Sequence, residues 1–537
     1  MPETLHGMTN VPMEWSFLST RRRTDPFNEV ILDVLITGPD GSARRIPAYW
    51  ADHNEWRVRF APPLEGDYRY SSVCSDENDA ALHGREGTLR VAAYDGDNPL
   101  YAHGGVRVGN DGRRFEHEDG TPFFWLGDTW WMGLCSRLRW PDDFQFLAHD
   151  RIRKGFSVIQ IVAGLYPDMP GFDERGRNEA GFPWRQDYTR INPHYFDNAD
   201  LRISWLVKCG LVPCIVGCWG YYIKWSGLET MKMHWRNIIA RWGAYPVVWC
   251  LAGEAAMPYY QSQQRDSDAA FQKKSWTEIA RYVRKIDGHR RPITIHPTQR
   301  GREQVEDPAV LDFDMLQTGH SGPPTIPNNM NEVLAGLAAR PPMPVVVGEV
   351  NYEGLMHGNS DETVRLAFWG SMLLGAAGFT YGANGIWQVN TTEQPFGPSP
   401  HGGTWGNTPW DEACRLPGSR QLAYAKKLFE RYDWRRFEYH QEWVSPTAST
   451  DNWFSSYSAG IPGEVRVIYC YRPPLPWDNN MAYVRGIEPK TRYRAFFFDP
   501  RSGDSVPAGD VSADKDGRWK IPTTPTMQDW VLVLERL

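Results

Sequence analysis

The sequence predicts an α/β protein: a (β/α)8 (TIM) barrel flanked by N-terminal and C-terminal β-sandwich domains. Three observations carry that prediction. Residues 1–98 form short runs of alternating apolar and polar positions between Gly, Pro and Asp turns. Over residues 105–436 the pattern changes to eight apolar runs separated by amphipathic or long loop segments. Residues 437–537 then return to strand patterning. The length of 537 residues accommodates three such units at roughly 150 residues per domain.

In the N-terminal unit, strands are expected at Val30–Ile36, Glu55–Phe60, Gly66–Tyr70 and Gly87–Val91, with Gly38-Pro-Asp-Gly41 as a turn. No helical period interrupts them, which argues for a sandwich. Asp95-Gly-Asp-Asn-Pro99 has the composition of a linker. The barrel strands are expected at Phe123–Leu126, Ser157–Val162, Val212–Val216, Val247–Leu251, Pro292–Ile295, Phe313–Gln317, Pro344–Val347 and Gly378–Tyr381. Short apolar runs of this kind suit parallel strands buried on both faces. Helical spacing of apolar residues predicts helices at Asp142–Lys154, Phe196–Cys209, Glu229–Trp242, Ala269–Asp287 and Asp361–Leu374. In the last unit, strands are expected at Glu464–Tyr471, Arg492–Asp499, Gly517–Ile521 and Asp529–Glu535.

Composition excludes several classes of partner. A net charge of −7 leaves no basic footprint for nucleic acid, and no stretch approaches 18 uninterrupted apolar residues, so neither nucleic acid nor membrane is expected as a partner. Met1–Gly7 lacks the basic and apolar regions of a leader, which predicts a cytoplasmic protein and leaves a homo-oligomer open. The eight cysteines are scattered through strand-like segments and are expected to be reduced core thiols. Cys209, Cys214 and Cys218 match no paired metal-knuckle spacing, and His296 and His320 near Asp314 lack helical ligand spacing. No metal and no cofactor are therefore expected. Phosphate-loop, Gly-x-Ser-x-Gly and nicotinamide signatures are absent from the sequence.

Two of the barrel runs end alike. Val247-Val-Trp-Cys-Leu-Ala-Gly-Glu254 and Pro344-Val-Val-Val-Gly-Glu349 each drive a strand into a carboxylate that follows a glycine. By strand count Glu254 closes the fourth strand and Glu349 the seventh, so both project from the carboxyl-terminal face, where barrel enzymes keep their sites. Strands four and seven lie on nearly opposite sides of the mouth, and long side chains from each converge across it. Two opposed carboxylates are the minimum for breaking a glycosidic bond. A separation of roughly 5–5.5 Å suits a retaining pair, and roughly 6.5–9.5 Å leaves room for water and inversion. A structural ion-pair role is the alternative, against which stands the cost of burying such charges without function. The acid must stay protonated near neutral pH and the nucleophile ionised. Tyr352, His296 and His320 fall where they can hydrogen-bond Glu349, so Glu349 is assigned as nucleophile and Glu254 as acid/base. Glu353 in Gly348-Glu-Val-Asn-Tyr-Glu-Gly354 is the competing candidate, set aside because it lies beyond the apolar run.

Other strand-end residues are candidates for holding a sugar. Asp128, taken as the close of the first strand, can accept two hydroxyl hydrogen bonds, with Trp130 or Trp131 as a stacking face; its alternative role is a helix N-cap. Gln160, Trp219, Gln317, Tyr381 and Trp387 are placed by the same logic, each against a core role. Many of the 25 tryptophans serve the core in any case.

These motifs together resemble the apiosidase-like glycoside hydrolases. The matching segments are Phe124-Trp-Leu-Gly-Asp-Thr-Trp-Trp131, Lys154-Gly-Phe-Ser-Val-Ile-Gln160, Asn192-Pro-His-Tyr-Phe196, Val248-Trp-Cys-Leu-Ala-Gly-Glu254, His296-Pro, Gln317-Thr-Gly-His320, Val347-Gly-Glu-Val-Asn-Tyr-Glu-Gly354 and Thr380-Tyr-Gly-Ala-Asn-Gly-Ile-Trp387. The resemblance implies an acid/base at Glu254, a nucleophile at Glu349 and retaining hydrolysis of a plant-derived glycoside or oligosaccharide. Two positions depart from the pattern: Glu254 stands where the family carries Asp, and Gly253 stands where many members of the wider clan carry Asn. The resemblance therefore carries the mechanism and not the sugar. Transglycosylation, inversion and a non-catalytic carbohydrate-binding barrel are the alternatives.

Overall fold

Eight parallel strands make the centre of the computed structural model, which describes residues 4–356, 358–471 and 482–537. They are β1 (Trp125–Trp130), β2 (Val158–Val162), β3 (Val212–Val216), β4 (Val248–Cys250), β5 (Ile293–Thr294), β6 (Asp314–Gln317), β7 (Val345–Glu349) and β8 (Gly378–Tyr381). Hydrogen-bonded neighbours run in the order β5-β4-β3-β2-β1-β8-β7-β6. The seam between β5 and β6 is bridged by the Asp312 amide donating to Ile293 O at 2.8 Å and the Thr294 hydroxyl donating to Phe313 O at 2.9 Å. The barrel is thus drawn shut where its strands are shortest.

Among the described residues seven long helices follow the strands: Asp142–Arg153, Pro193–Lys208, Leu228–Trp242, Arg265–Ile286, Thr325–Ala338, Asp361–Leu374 and Pro417–Phe429. After β5 two 3₁₀ turns, Gly301–Glu303 and Pro308–Val310, stand in for a helix. Asp361–Leu374 shows why the sequence marked its helix well: Ser360 caps it, Asp361 and Glu362 face the positive end of its dipole, and Gly375 ends it in the left-handed region at φ 108°. Thr325–Ala338 was not expected, because Pro327 and Gly336 interrupt its pattern.

The first strand differs from expectation. Pro122–Phe123 pairs with Phe115–His117 in a small antiparallel sheet, and β1 begins at Trp125 and continues to Trp130. Phe115 packs against Trp125 and Phe313, with ring centroids 5.2 Å apart in both pairs, and so plugs the amino-terminal end of the barrel.

The N-terminal unit holds a five-stranded sheet facing a three-stranded one, and the C-terminal unit a six-stranded sheet with a three-stranded one. The first docks on the helices after β2 and β3: Arg59 reaches Asp200 at 2.7 Å, and Arg236 reaches Asp33 at 2.5 Å. The second docks on Asp361–Leu374, where Arg365 pairs with Asp529 at 2.8 Å and Trp369 stacks on Tyr469. Both units therefore pack on helices around the barrel wall. All eight cysteines are free thiols and seven are buried. Among the described residues no helix is long and apolar enough to cross a membrane. Residues 1–3, the start of the segment inspected for a leader, lie outside the described residues.

Candidate active site

The mouth of the barrel contains a cavity of about 230 Å³ at the carboxyl ends of the strands, lined by both glutamates. Glu254 sits just past β4 with φ at 44°, a left-handed conformation that costs a non-glycine residue about 1–3 kcal/mol and persists only when its surroundings enforce it. The backbone on both sides does so. Gly253 donates to Cys218 O at 2.9 Å and accepts from Gly220 at 2.7 Å, while Ala255 donates to His296 O at 3.1 Å.

Each glycine before a glutamate admits a neighbour. A Cβ on Gly253 would lie 2.2 Å from the Trp219 ring, and one on Gly348 would lie 2.4 Å from Met315. The Trp219 ring so admitted donates its indole N–H to Glu254 Oε2 at 3.0 Å, and Gln317 donates to Oε1 at 3.0 Å. Gly253 is thus the gap that the tryptophan bonded to Glu254 fills. Gly348 is the extra residue of a bulge in β7, across which Gln317 pairs with Glu349 and Leu316 with Val347.

The surroundings push the two carboxyl groups apart. Burial, and next to it the charge of Glu349, raises Glu254 to about 8. Burial also pushes Glu349 up, but His296 and His320 prevail and hold it at about 2. His320 Nε2 lies 2.7 Å from Glu349 Oε1, and His296 Nε2 lies 3.1 Å from Oε2. The Tyr352 ring lies tilted against His320 with centroids 4.5 Å apart, and Tyr352 lines the cavity.

Of the residues singled out from sequence, Glu254, Glu349, Trp131, Trp219, Gln317, His320, Tyr352 and Trp387 line this cavity. His296 backs Glu349 from below, its ring 5.1 Å from Trp131 and fully buried. Gln160 points into the barrel interior and donates to Gly348 O at 3.0 Å, which steadies the bulge beneath Glu349.

Three candidates lie elsewhere. Asp128, Trp130 and Tyr381 point outward from β1 and β8 into the layer between strands and helices. Asp128 Oδ2 accepts from Arg151 and from the Trp130 indole, both at 2.6 Å, and Tyr381 donates its hydroxyl to Glu353 Oε2 at 2.5 Å. The reason is parity: β1 runs on to Trp130, so Gly127 and Thr129 face inward and Asp128 outward. Glu353, which also accepts from the Gly418 amide at 3.0 Å, is tied into the same outer layer. Asp128 and Arg151 are both wholly buried. Asp128→Asn is expected to cost about 3 kcal/mol in a urea unfolding curve, the lower end for a broken buried pair, because Asp150 still contacts Arg151 at 2.5 Å.

Sequence inspection missed Asp168, Tyr260, His401 and Trp405, which line the same cavity. Asp168 follows β2 in Gly164-Leu-Tyr-Pro-Asp168, where the strand-end logic applied to Asp128 would have found it. His401 and Trp405 stand on the long loop after β8, and nothing local marks them. Among the described residues, the buried polar atoms of the lining that lack a hydrogen-bond partner include Trp387 Nε1 and Gln317 Oε1. A hydroxyl-rich ligand would supply both an acceptor and a donor. Among the described residues no group of three His, Cys, Asp or Glu side chains could hold a metal ion.

Comparisons with known proteins bear on the family and the fold. The family model for an apiosidase-like catalytic domain matches residues 109–436, and the model for a domain of unknown function, DUF5060, matches residues 11–75. The fold is similar to that of a putative glycoside hydrolase from Bacteroides vulgatus ATCC 8482, with TM-score 0.70 and 17% identity over 99% of this chain and 100% of that one. It is also similar to a glycoside hydrolase family 5 protein from the same organism, with TM-score 0.66 and 20% identity over 82% of this chain and 95% of that one. A third structure, described as a glycoside hydrolase, gives TM-score 0.66 and 22% identity over 82% and 98% of the two chains. No functionally curated protein matches the sequence.

Proposed function

The chain belongs to the apiosidase-like family, and from that membership we propose that it is a retaining glycoside hydrolase acting on a small plant-derived glycoside or oligosaccharide. The observation that carries the proposal is the divergence of two carboxyl groups facing one cavity, Glu254 at about 8 and Glu349 at about 2. Such a pair supplies an acid and an anion at the same pH.

In the first step Glu349 attacks the anomeric carbon, and Glu254 gives its proton to the departing oxygen as the glycosidic bond breaks. Glu254, now a carboxylate, takes a proton from water, whose oxygen attacks the anomeric carbon and releases Glu349. His296 and His320 keep Glu349 anionic between turnovers. Trp219 and Gln317 aim the Glu254 carboxyl, and Trp131, Trp219 and Trp387 offer flat apolar faces to a sugar ring.

The pH dependence follows from the two environments. Glu349 must be ionised, so kcat/KM is lost as pH falls through about 2; Glu254 must be protonated, so it is lost as pH rises through about 8. A pH series of initial rates is expected to show the alkaline limb within easy reach of neutral pH. A limb near 4.5, the ordinary glutamate value, would contradict the assignment of Glu254.

The test of the function itself is turnover of a panel of aryl glycosides, pentofuranosides included, by wild type, Glu254→Gln and Glu349→Gln. Release of sugar by wild type and not by the variants supports the proposal. Binding of sugars without release by any of the three would favour a carbohydrate-binding barrel.

A further inference from the structure

We propose that Asp168 is a specificity-determining residue that accepts hydrogen bonds from a hydroxyl pair of the sugar ring held in the cavity. The inference rests on the glycosidase reading and deepens it. Asp168 lines the cavity together with Glu254 and Glu349, yet neither step of the mechanism uses it. Its side chain is 14% exposed, and its ion-pair partner among the described residues is His401, with Nε2 at 3.7 Å. The Ser399 hydroxyl donates to Oδ1.

The backbone at Asp168 has φ at 55°, the left-handed region again, and its amide donates to the Tyr260 hydroxyl at 3.2 Å. Asp is among the few non-glycine residues that adopt this region readily, and here it turns the side chain toward the cavity. Here the aim is into a space of about 230 Å³, below the roughly 300 Å³ at which pockets for drug-sized ligands begin, and suited to one sugar ring. A carboxylate offers two acceptor oxygens and no donor, which fits two adjacent hydroxyls. Ser399 and His401 approach it from the loop after β8, so the side chain that would hold the ring also holds that loop. The predicted substrate class is a glycoside whose terminal ring carries a free vicinal diol.

The test uses the aryl glycoside that wild type turns over fastest and its monodeoxy analogues, with Asp168→Asn and Ser399→Ala alongside wild type. An aryl leaving group has no sugar hydroxyls, so any loss is read on the ring itself. Asp168→Asn is expected to lose roughly 10- to 100-fold in kcat/KM on the parent glycoside, the value of a charged hydrogen bond, and little on the analogue that lacks the contacted hydroxyl. Ser399→Ala is expected to keep the wild-type ranking of the analogues. Equal loss across the whole series, shared by both variants, would make Asp168 a loop clasp and overturn the inference while leaving the hydrolase standing. Binding of the free monosaccharides, read by quenching of tryptophan fluorescence, separates the remaining outcomes. Binding weakened in Asp168→Asn without turnover of any glycoside sustains the inference and sinks the hydrolase, and neither binding nor turnover sinks both.

Discussion

Replacing Glu349 by Gln is expected to lower kcat on every substrate by about 10⁴- to 10⁶-fold, the loss seen when the nucleophile of a covalent mechanism is removed. The size follows from chemistry: with no anion facing the anomeric carbon, the first displacement has no partner, and the remaining groups supply only orientation and the proton. A second effect comes with it. The charge of Glu349 is, after burial, the main influence raising Glu254 towards about 8, so the Glu254 carboxyl should titrate lower in the variant. Kinetics give the first effect, and the carbonyl signal of labelled Glu254 in an NMR titration gives the second. A stable, folded variant with unchanged turnover would remove Glu349 from the mechanism.

Replacing Glu254 by Gln is expected to cost about 10²- to 10⁴-fold on glycosides with an alkyl or sugar leaving group, the range for a positioned acid. With an activated aryl leaving group the cost falls mainly on the second step, because the phenolate departs without a proton but water still lacks its base. The variant should then show a burst of phenolate followed by slow release of sugar, since the covalent intermediate accumulates. Its rate should also lose the alkaline limb near 8. A uniform loss on all leaving groups, with the limb intact, would mean that Glu254 is not the acid.

The barrel was legible in the sequence because its strands are buried on both faces and therefore read as unbroken apolar runs. Glu254 and Glu349 were legible because each ends such a run after a glycine. The structure gives that glycine a reason, since Trp219 lies against Gly253 and Met315 against Gly348. His296 and His320 were legible as polar residues just past β5 and β6. What local pattern conveys poorly is where a strand stops. Gly127 and Asp128 looked like the end of the first strand, yet β1 runs to Trp130, and that difference turns Asp128 and Trp130 from the cavity to the helix layer. Tyr381 was lost to the same parity, one position past the inward-facing Thr380. Asp168 shared the signal used for Asp128 and was overlooked. His401 and Trp405 carry no such signal, because a long loop is placed by tertiary contacts, here the bond from Ser399 to Asp168, and not by local periodicity.

The double displacement is tested most directly by the anomer first released. Wild-type enzyme is mixed with an aryl glycoside of defined anomeric configuration, and proton NMR spectra are collected before the free sugar mutarotates. Two displacements at the anomeric carbon, by Glu349 and then by water, predict that the first sugar to appear has the configuration of the substrate. First appearance of the opposite anomer would mean that water attacks directly, and Glu349 would then be a base and not a nucleophile.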